Sequence, residues 1–554
     1  MKKILMAKKF FILELFIMLL LTTFVLYTPK AVDSKVETKF SAVRAQAHIK
    51  EISKEPHSYY DQAELANVRS YIIDTLNTNL GASNVSEVRY EKEFVKQELN
   101  ELVPYDIVNV LGKLPGKSDK GILLVAHYDS RDHVGRYGEL GRSYGAMDDG
   151  YGVSSMLELS YILKDLNPEN SIYFLFTDAE EVGLYGAKLA ATDNTLMDNV
   201  RFVINLESRG RYGPSYMFET SKNNHKVIDL YKKAKLPVTY SMATAVYSVM
   251  PNFTDFSPFI DQGLPGINFA TLAGLDNYHS PLDSYENINI SSIQHMGVQV
   301  EPVVREFTSN SKYVEDNYFV SNSDQVFFTI FAGVLISYSN TVAIVLLIVA
   351  IIFTILLFTV LALDKGFSIN IVKSTLPKGL LLSLTLIISG YIFSNIIAFI
   401  GKVPFNITYT RVLSSLSDIP SLIFLVVIVL IYTVYISKSK LNDILTIGIT
   451  LNLLLTLITT IFLPGASFLF LTATMFGIIG ISMDKISNKI TKKAILLFSI
   501  LFQLLIIIPL LYSFYHALTI GGIMVLVILI VINGLVTIPL VLKNLNLGGE
   551  NERK

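Results

Sequence analysis

Short apolar runs alternating with helical stretches between residues 40 and 310 predict an α/β fold, a mixed, mostly parallel sheet sandwiched by helices. Two further observations make the chain bipartite. Only 17% of the 554 residues are charged and 51% are hydrophobic, whereas an average soluble protein is ~25% charged. Of the 47 acidic residues, six (Asp364, Asp418, Asp443, Asp484, Glu550 and Glu552) lie after residue 325. The expected organisation is an N-terminal transmembrane signal anchor (1–28), the α/β domain (29–325), and an all-α polytopic membrane domain (326–554) with about seven spans.

The anchor is read from the apolar run Phe10–Tyr27, which follows Lys2, Lys3, Lys8 and Lys9. Its 18 residues are long enough to cross a bilayer. The Thr-Pro-Lys-Ala that follows is a poor cleavage site, so the segment is read as retained. Glu14, near its basic end, reads as a snorkelling or helix-start residue.

In the α/β domain, Ile122–Ala126, Ile172–Thr177, Phe202–Leu206 and Ile267–Ala270 read as strands buried on both faces. Val153–Leu163, Gly186–Ala191, His225–Lys235 and Ile290–Phe307 read as helices. After residue 325 the apolar runs Thr341–Leu363, Leu380–Ile400, Ser421–Ile436, Ile444–Leu463, Ser467–Ser482, Ala494–Phe514 and Ile520–Leu540 read as spans. Val326–Ser339 is too short to cross and is placed at the interface.

Charge sets the orientation. With the N-terminus cytosolic, 12 of the 14 Lys/Arg after residue 325 fall on the cytosolic side, and Lys402 and Arg411 fall outside. Residues 29–325 are then extracytoplasmic and both termini cytosolic. No span carries an acid or base well inside it, which argues against an ion or proton path. Ser389, Gly390 and Asn452 read as helix-packing residues. A net charge of −1 excludes a nucleic-acid binder acting through bulk basicity. The absence of Cys excludes disulfides, Cys–zinc sites and thiol chemistry.

Ligands of α/β sheets gather at the carboxyl ends of strands, and acids and imidazoles recur there. His127-Tyr128-Asp129 follows the first strong strand, and Asp148-Asp149 stands in the glycine-rich GAMDDGYG. Thr177-Asp178-Ala179-Glu180-Glu181 ends the next strand, Asn205-Leu206-Glu207 the one after, and Tyr278-His279-Ser280-Pro281-Leu282-Asp283 lies in a later loop. Singly, each is ordinary surface or turn chemistry. Together they suit a pair of divalent metals: zinc takes His nitrogen and carboxylate oxygen, a shared carboxylate bridges two ions, and a further acid serves as general base.

HYDS, GAMDDGYG, TDAEEVGLYG, INLESRG and YHSPLD resemble, in order, the signature blocks of the di-zinc exopeptidase family of aminopeptidase Y type, over about residues 60–310. One anchor before the domain and a multi-span tail after it make the layout similar to the vacuolar membrane proteases and the endoplasmic-reticulum metallopeptidases; the tail matches in layout alone. The resemblance implies two Zn2+ per chain, with His127, Asp148 and Glu207 on one and Asp148, Glu181 and His279 on the other. It implies Asp148 as bridge, Glu180 as proton shuttle, and Asp129 as the group that orients His127. Tyr278 falls where some relatives hold the oxyanion with a tyrosine, or else it packs. Arg209 and Asp255 are pocket candidates, and His133 is read as a surface residue.

The expected function is an aminopeptidase acting on peptide or protein N-termini, with membrane lipid as its other partner and no nucleic acid. The alternatives are a non-catalytic receptor or scaffold on the same fold, a single-zinc glutaminyl cyclase-like enzyme, and a transporter with a peptidase-like ectodomain. Missing ligands would favour the scaffold, but none is missing. The uncharged spans disfavour the transporter, and His127 together with Glu207 favours two metals over one. A Lys-rich chain without Cys or Trp points to a bacterial plasma membrane; a vacuolar or reticulum membrane has the same topology. Oligomeric state is left open.

Overall fold

The computed structural model describes residues 26–133, 141–248, 252–330, 333–364, 371–402 and 417–546. The anchor expected over 1–28 falls almost wholly outside them, as does Arg411. The described chain forms two units, one from Tyr27 to Gln325 with Gly333–Leu335, and another containing the chain from Ile336 onward.

The first unit is built on seven strands: β1 (Val85–Tyr90), β2 (Ile107–Leu114), β3 (Ser118–His127), β4 (Asn170–Thr177), β5 (Val200–Ser208), β6 (Tyr212–Thr220) and β7 (Gly266–Ala273), in the order β1-β2-β4-β3-β5-β7-β6. The inner four, β4, β3, β5 and β7, are parallel to one another; β1, β2 and β6 pair antiparallel. The inner four contain the runs read as strands from sequence. They are near-continuously apolar because helices cover both faces.

The helices of six residues or more are α1 (Ala42–Ile52), α2 (Gln62–Leu80), α3 (Lys92–Leu99), α4 (Gly150–Leu163), α5 (Tyr185–Thr192), α6 (His225–Tyr231), α7 (Ser241–Tyr247), α8 (Phe256–Asp261) and α9 (Ile290–Thr308). On one face, Leu123, Val125, Leu175 and Val203 pack with Ala187 and Ala190 of α5 and Phe256 and Phe259 of α8. On the other, α4 lies along β3 and β5, and α9 brings Phe307 to Phe202 (ring centroids 6.1 Å apart).

Three strands and five of these helices, together with the single turn Asn194–Met197, escaped the sequence reading. β1 is half exposed and short, β2 interrupts its apolar run with Asn109 and Gly112, and β6 contains Gly213 and Pro214. Each breaks the period that announces a strand, and tertiary pairing overrides the local signal.

The second unit is helical: α10 (Asn340–Leu363), α11 (Leu376–Ile400), α12 (Asp418–Ser437), α13 (Leu441–Phe462), α14 (Ser467–Ser482), α15 (Lys489–Leu518) and α16 (Ile523–Asn546). These form six continuous helical runs long and apolar enough to cross a membrane. The last, Lys489–Leu545, has a 3-10 turn at Thr519–Gly522 between α15 and α16. The seven apolar stretches read from sequence therefore fall in six runs, because no polar loop separates the final pair. Leucines, isoleucines and valines of α10, α11 and α12 are exposed in large number, as lipid-facing side chains must be. Inside, small residues let helices meet: a Cβ on Gly480 would stand 2.3 Å from Leu540 Cδ2. Before α10, β8 (Gln325–Thr329) and β9 (Leu335–Ser339) form a two-stranded sheet over the stretch placed at the interface.

Candidate metal centre

Parallel strands end on one edge, and that edge carries the acids and imidazoles. His127 is the last residue of β3. Glu180 and Glu181 follow β4, Glu207 is the penultimate residue of β5, and His279 lies after β7. Asp148 immediately precedes Asp149, whose side chain caps α4 by accepting from Gly152 N at 3.0 Å. Position 152 must be glycine: a Cβ there would meet Asp149 Oδ2 at 2.3 Å and Leu206 O at 2.6 Å. The helix start is thus pressed against β5, next to Glu207.

The ligating atoms of His127, Asp148 and Glu207 all lie within 4.8 Å of one another, as do those of Asp148, Glu181 and His279. Asp148 divides its oxygens between the two sets, with Oδ1 3.1 Å from His127 Nε2 and Oδ2 3.1 Å from His279 Nε2. His127 Nε2 is 3.7 Å from Glu207 Oε1, and His279 Nε2 is 3.1 Å from Glu181 Oε1. Tetrahedral zinc with bonds of ~2.0–2.1 Å separates its ligand atoms by ~3.3 Å, so the spacings suit one ion in each set. Glu181 Oε1 is buried without a hydrogen bond among the described residues although it faces an imidazole nitrogen. An oxygen so placed is aimed at a common centre and not at its neighbour. The donors present therefore fit two zinc ions.

The surroundings orient these groups. Arg131 Nη1 donates to Glu181 O at 2.9 Å and to Oε2 at 3.1 Å, leaving Oε1 toward His279. His127 Nδ1 meets the Asp129 backbone oxygen at 2.9 Å, while the Asp129 carboxylate stands at 3.5 Å. That carboxylate instead accepts from the backbone N–H of Glu180 (2.9 Å) and Glu181 (3.2 Å). Asp129 thus holds the ring through its main chain and the acid pair through its side chain, a division the sequence reading did not make. Asp283 accepts from Ser143 Oγ at 2.7 Å and Met147 N at 2.6 Å, fixing the loop that delivers Asp148. Ala179 (φ 60°) and His279 (φ 51°) are both left-handed non-glycine residues, the kind of local strain that a surrounding structure must over-determine.

Electrostatically the centre is over-supplied with acid. Burial alone would lower His127, but the carboxylates of Asp129, Asp148 and Glu207 around it outweigh burial and hold the ring well above its ordinary value. His279 is likewise lifted to about 9, with Glu181 and Asp148 overcoming burial. The two imidazoles hold Asp148 down against its burial. Burial first, and then the charges of Glu181 and Glu207, push Glu180 well up against the pull of His127. Burial raises Glu207 to about 7. Cations are the natural complement of such a cluster, and binding them releases the imidazole protons.

Of the remaining sequence candidates, Tyr278 stacks on His279 (3.6 Å between centroids, 21° between planes), and the Arg209 guanidinium lies 5.4 Å from the Tyr278 ring centre. Asp255 is buried, accepts from Thr177 Oγ1, and is raised to about 6 by burial. His133 is exposed. Sequence reasoning assigned nothing to Arg131, Asp283, Tyr247 or Glu219. Asp283 stood in a quoted block, but its role depends on a loop 135 residues away in sequence, which no local pattern announces.

Residues 109–304 match peptidase family M28. A vacuolar membrane protease of Candida tropicalis is 28% identical over 270 residues, covering 47% of this chain and 28% of that protein. The matched region thus spans under a third of that relative's length. Among solved structures, the aminopeptidase from Aneurinibacillus sp. strain AM-1 aligns with a TM-score of 0.38 at 14% identity, covering 50% of this chain and 96% of that one. A glutaminyl cyclase of Porphyromonas gingivalis aligns with a TM-score of 0.39 at 18% identity, covering 48% and 98%. Residues 109–304, the stretch that matches peptidase family M28, carry the whole acid–imidazole cluster, and the helices that follow are long and apolar enough to cross a membrane.

Proposed function

We propose that the chain is a membrane-bound di-zinc aminopeptidase that hydrolyses the first peptide bond of peptides or proteins. The observation that carries this reading is Asp148, whose two oxygens each face a different imidazole 3.1 Å away, with a further carboxylate completing each set. His127, Asp148 and Glu207 would hold one ion, and Asp148, Glu181 and His279 the other. When bound, the metals supply Lewis acidity at the scissile carbonyl and lower the pKa of water.

Glu180 carries the proton. Its backbone is pinned by Asp129 beside both sets, and a carboxyl held well above its ordinary value suits a shuttle that takes a proton from water and passes it to the leaving amine. Arg131 keeps Glu181 in place for its ion. Tyr278 is assigned the donor to the developing oxyanion, with its stack on His279 setting the ring.

Residues 29–325 are assigned to the extracytoplasmic side and both termini to the cytosol, from the lysine-rich loops after residue 325. A bacterial plasma membrane suits the composition; vacuolar or reticulum membranes carry the same topology. Metal analysis of the purified protein, run beside a panel of aminoacyl and N-blocked peptides, tests the assignment. About two zinc ions and cleavage restricted to free N-termini support it. One zinc, with His127→Ala harmless, moves the protein to a glutaminyl cyclase-like reaction, and neither zinc nor turnover moves it to a scaffold.

A further inference from the structure

Glu219 is a buried acid with no task in the mechanism above. It lies on β6, opposite Asn268 of β7, which in turn lies opposite Asn205 of β5. Residues opposite one another across a sheet share a face, and so do residues two apart along a strand. Glu219, Asn268, Asn205 and Glu207 therefore point to the same side. Glu219 sits two strands across from Glu207 and two residues down, so their Cα atoms are ~12 Å apart by the strand spacing and the rise per residue.

Its carboxylate is held in a fixed pose. Asn205 Nδ2 donates to Asn268 Oδ1 (3.0 Å), and Asn268 Nδ2 donates to Glu219 Oε2 (2.9 Å) and Thr254 Oγ1 (2.8 Å). The other oxygen, Oε1, makes no hydrogen bond among the described residues, and the residue keeps 8% of its surface open. No Lys or Arg lies within ion-pair distance of it among the described residues. The nearby charge that it feels is another acid, Asp261. Burial pushes the carboxyl up to about 7 against the pull of the Asn268 hydrogen bond. Tyr247 feels the charges of Glu219, Glu207 and Glu180, with Arg209 pulling the other way, and its ring meets Phe218 edge-on at 4.8 Å. Glu219 is thus an oriented acid on the same sheet face as Glu207, with no cationic partner among the described residues.

We propose that Glu219 is the specificity-determining residue of this site, receiving the cationic side chain of the substrate's first residue and selecting peptides that begin with lysine or arginine. The proposal rests on the aminopeptidase reading. The separation suits it: with the first peptide bond at the metal ligands, the four-carbon stem of a lysine carries its ammonium along the sheet face toward β6. The aromatic rings of Tyr247 and Phe218 cover the apolar stem, as such stems require. An apolar first residue would leave the acid unpaired and desolvated.

The test measures kcat/KM of the zinc-loaded full-length protein on lysyl, arginyl, leucyl and glutamyl anilides, for wild type, Glu219→Gln and Glu219→Asp, with zinc content recorded for each. Wild type is expected to prefer lysyl and arginyl over leucyl by at least about tenfold, on the scale at which polar pockets discriminate. Glu219→Gln should remove that preference through KM at unchanged zinc content, and Glu219→Asp should retain part of it. A leucyl preference in wild type, or an unaltered ratio in Glu219→Gln, overturns the proposal while leaving the peptidase reading standing. No turnover of any anilide by zinc-loaded protein overturns both.

Discussion

Residue by residue, the proposed roles separate the groups that would hold metal from the one that would move protons. Glu180→Gln is nearly isosteric and leaves both ligand sets intact. Zinc content should stay at the wild-type level while turnover falls by at least ~10²-fold, the scale of a lost general base; near-normal turnover would transfer the role to another acid. Asp148→Ala should release both metals, because its oxygens serve both sets, and retention of one zinc would show that it does not bridge. Glu219 gives a prediction that needs no metal. Its carboxyl stands at about 7 in the fold against an ordinary 4.5. A value raised by folding means the native state prefers the protonated acid. That contribution to stability is fully present below pH 4.5 and is lost as pH rises through about 7. Glu219→Gln mimics the protonated form, so its unfolding free energy should gain on wild type across that window by an amount of order 3 kcal/mol at ~1.4 kcal/mol per pH unit, read as a rise in melting temperature. Parallel melting curves at all pH values would remove the basis for calling this acid unpaired.

Among the elements, the four parallel strands set where chemistry sits and the loops set how it is aimed. The loop before α4 carries Asp148, and Asp283 ties it down through Ser143 Oγ, Met147 N and Asp148 N. Asp283→Ala leaves those buried donors without an acceptor. It should destabilise the α/β domain by about 3 kcal/mol, lower the melting temperature, and weaken zinc binding although no proposed ligand has changed. Unaltered zinc affinity would mean that the loop holds Asp148 without Asp283. The inner strands were legible in the sequence because double-sided burial leaves continuous apolar runs such as IYFLF in β4. The antiparallel strands were not, since β1 is half exposed and β6 carries Gly213 and Pro214.

For the molecule as a whole, orientation would decide which peptides reach the proposed site. Translocating Lys and Arg in short loops near span ends is costly, and this does not restrain a large domain. A reporter fused near Ser309 should be active only outside the cytosol, and reporters near Ser374 and Ser487 only within it. A cytosolic Ser309 reporter would shift the substrates from exported or lumenal peptides to cytosolic ones. The final two apolar stretches read as separate spans, yet α15 and α16 meet through a turn of four residues, Thr519–Gly522. A glycine-containing tight turn between helices needs no charged loop to mark it, so composition fixes the spans better than their joints.

What the sequence by itself determined was everything written in local pattern or order: the polar and apolar halves, the inner strands, and the blocks that hold His127, Asp148, Glu180, Glu181, Glu207 and His279. Residue type and strand-end position are local properties, and metal chemistry draws on few residue types. Tertiary structure alone decided the rest. It split the oxygens of Asp148 between two imidazoles and gave Asp129 its hold on the acid pair. It also set Arg131 on Glu181, brought Asp283 to the Asp148 loop, and put Glu219 on the same sheet face as Glu207. These relations join residues far apart in the chain through sheet register and packing, and a one-residue change of register would send Glu219 to the opposite face.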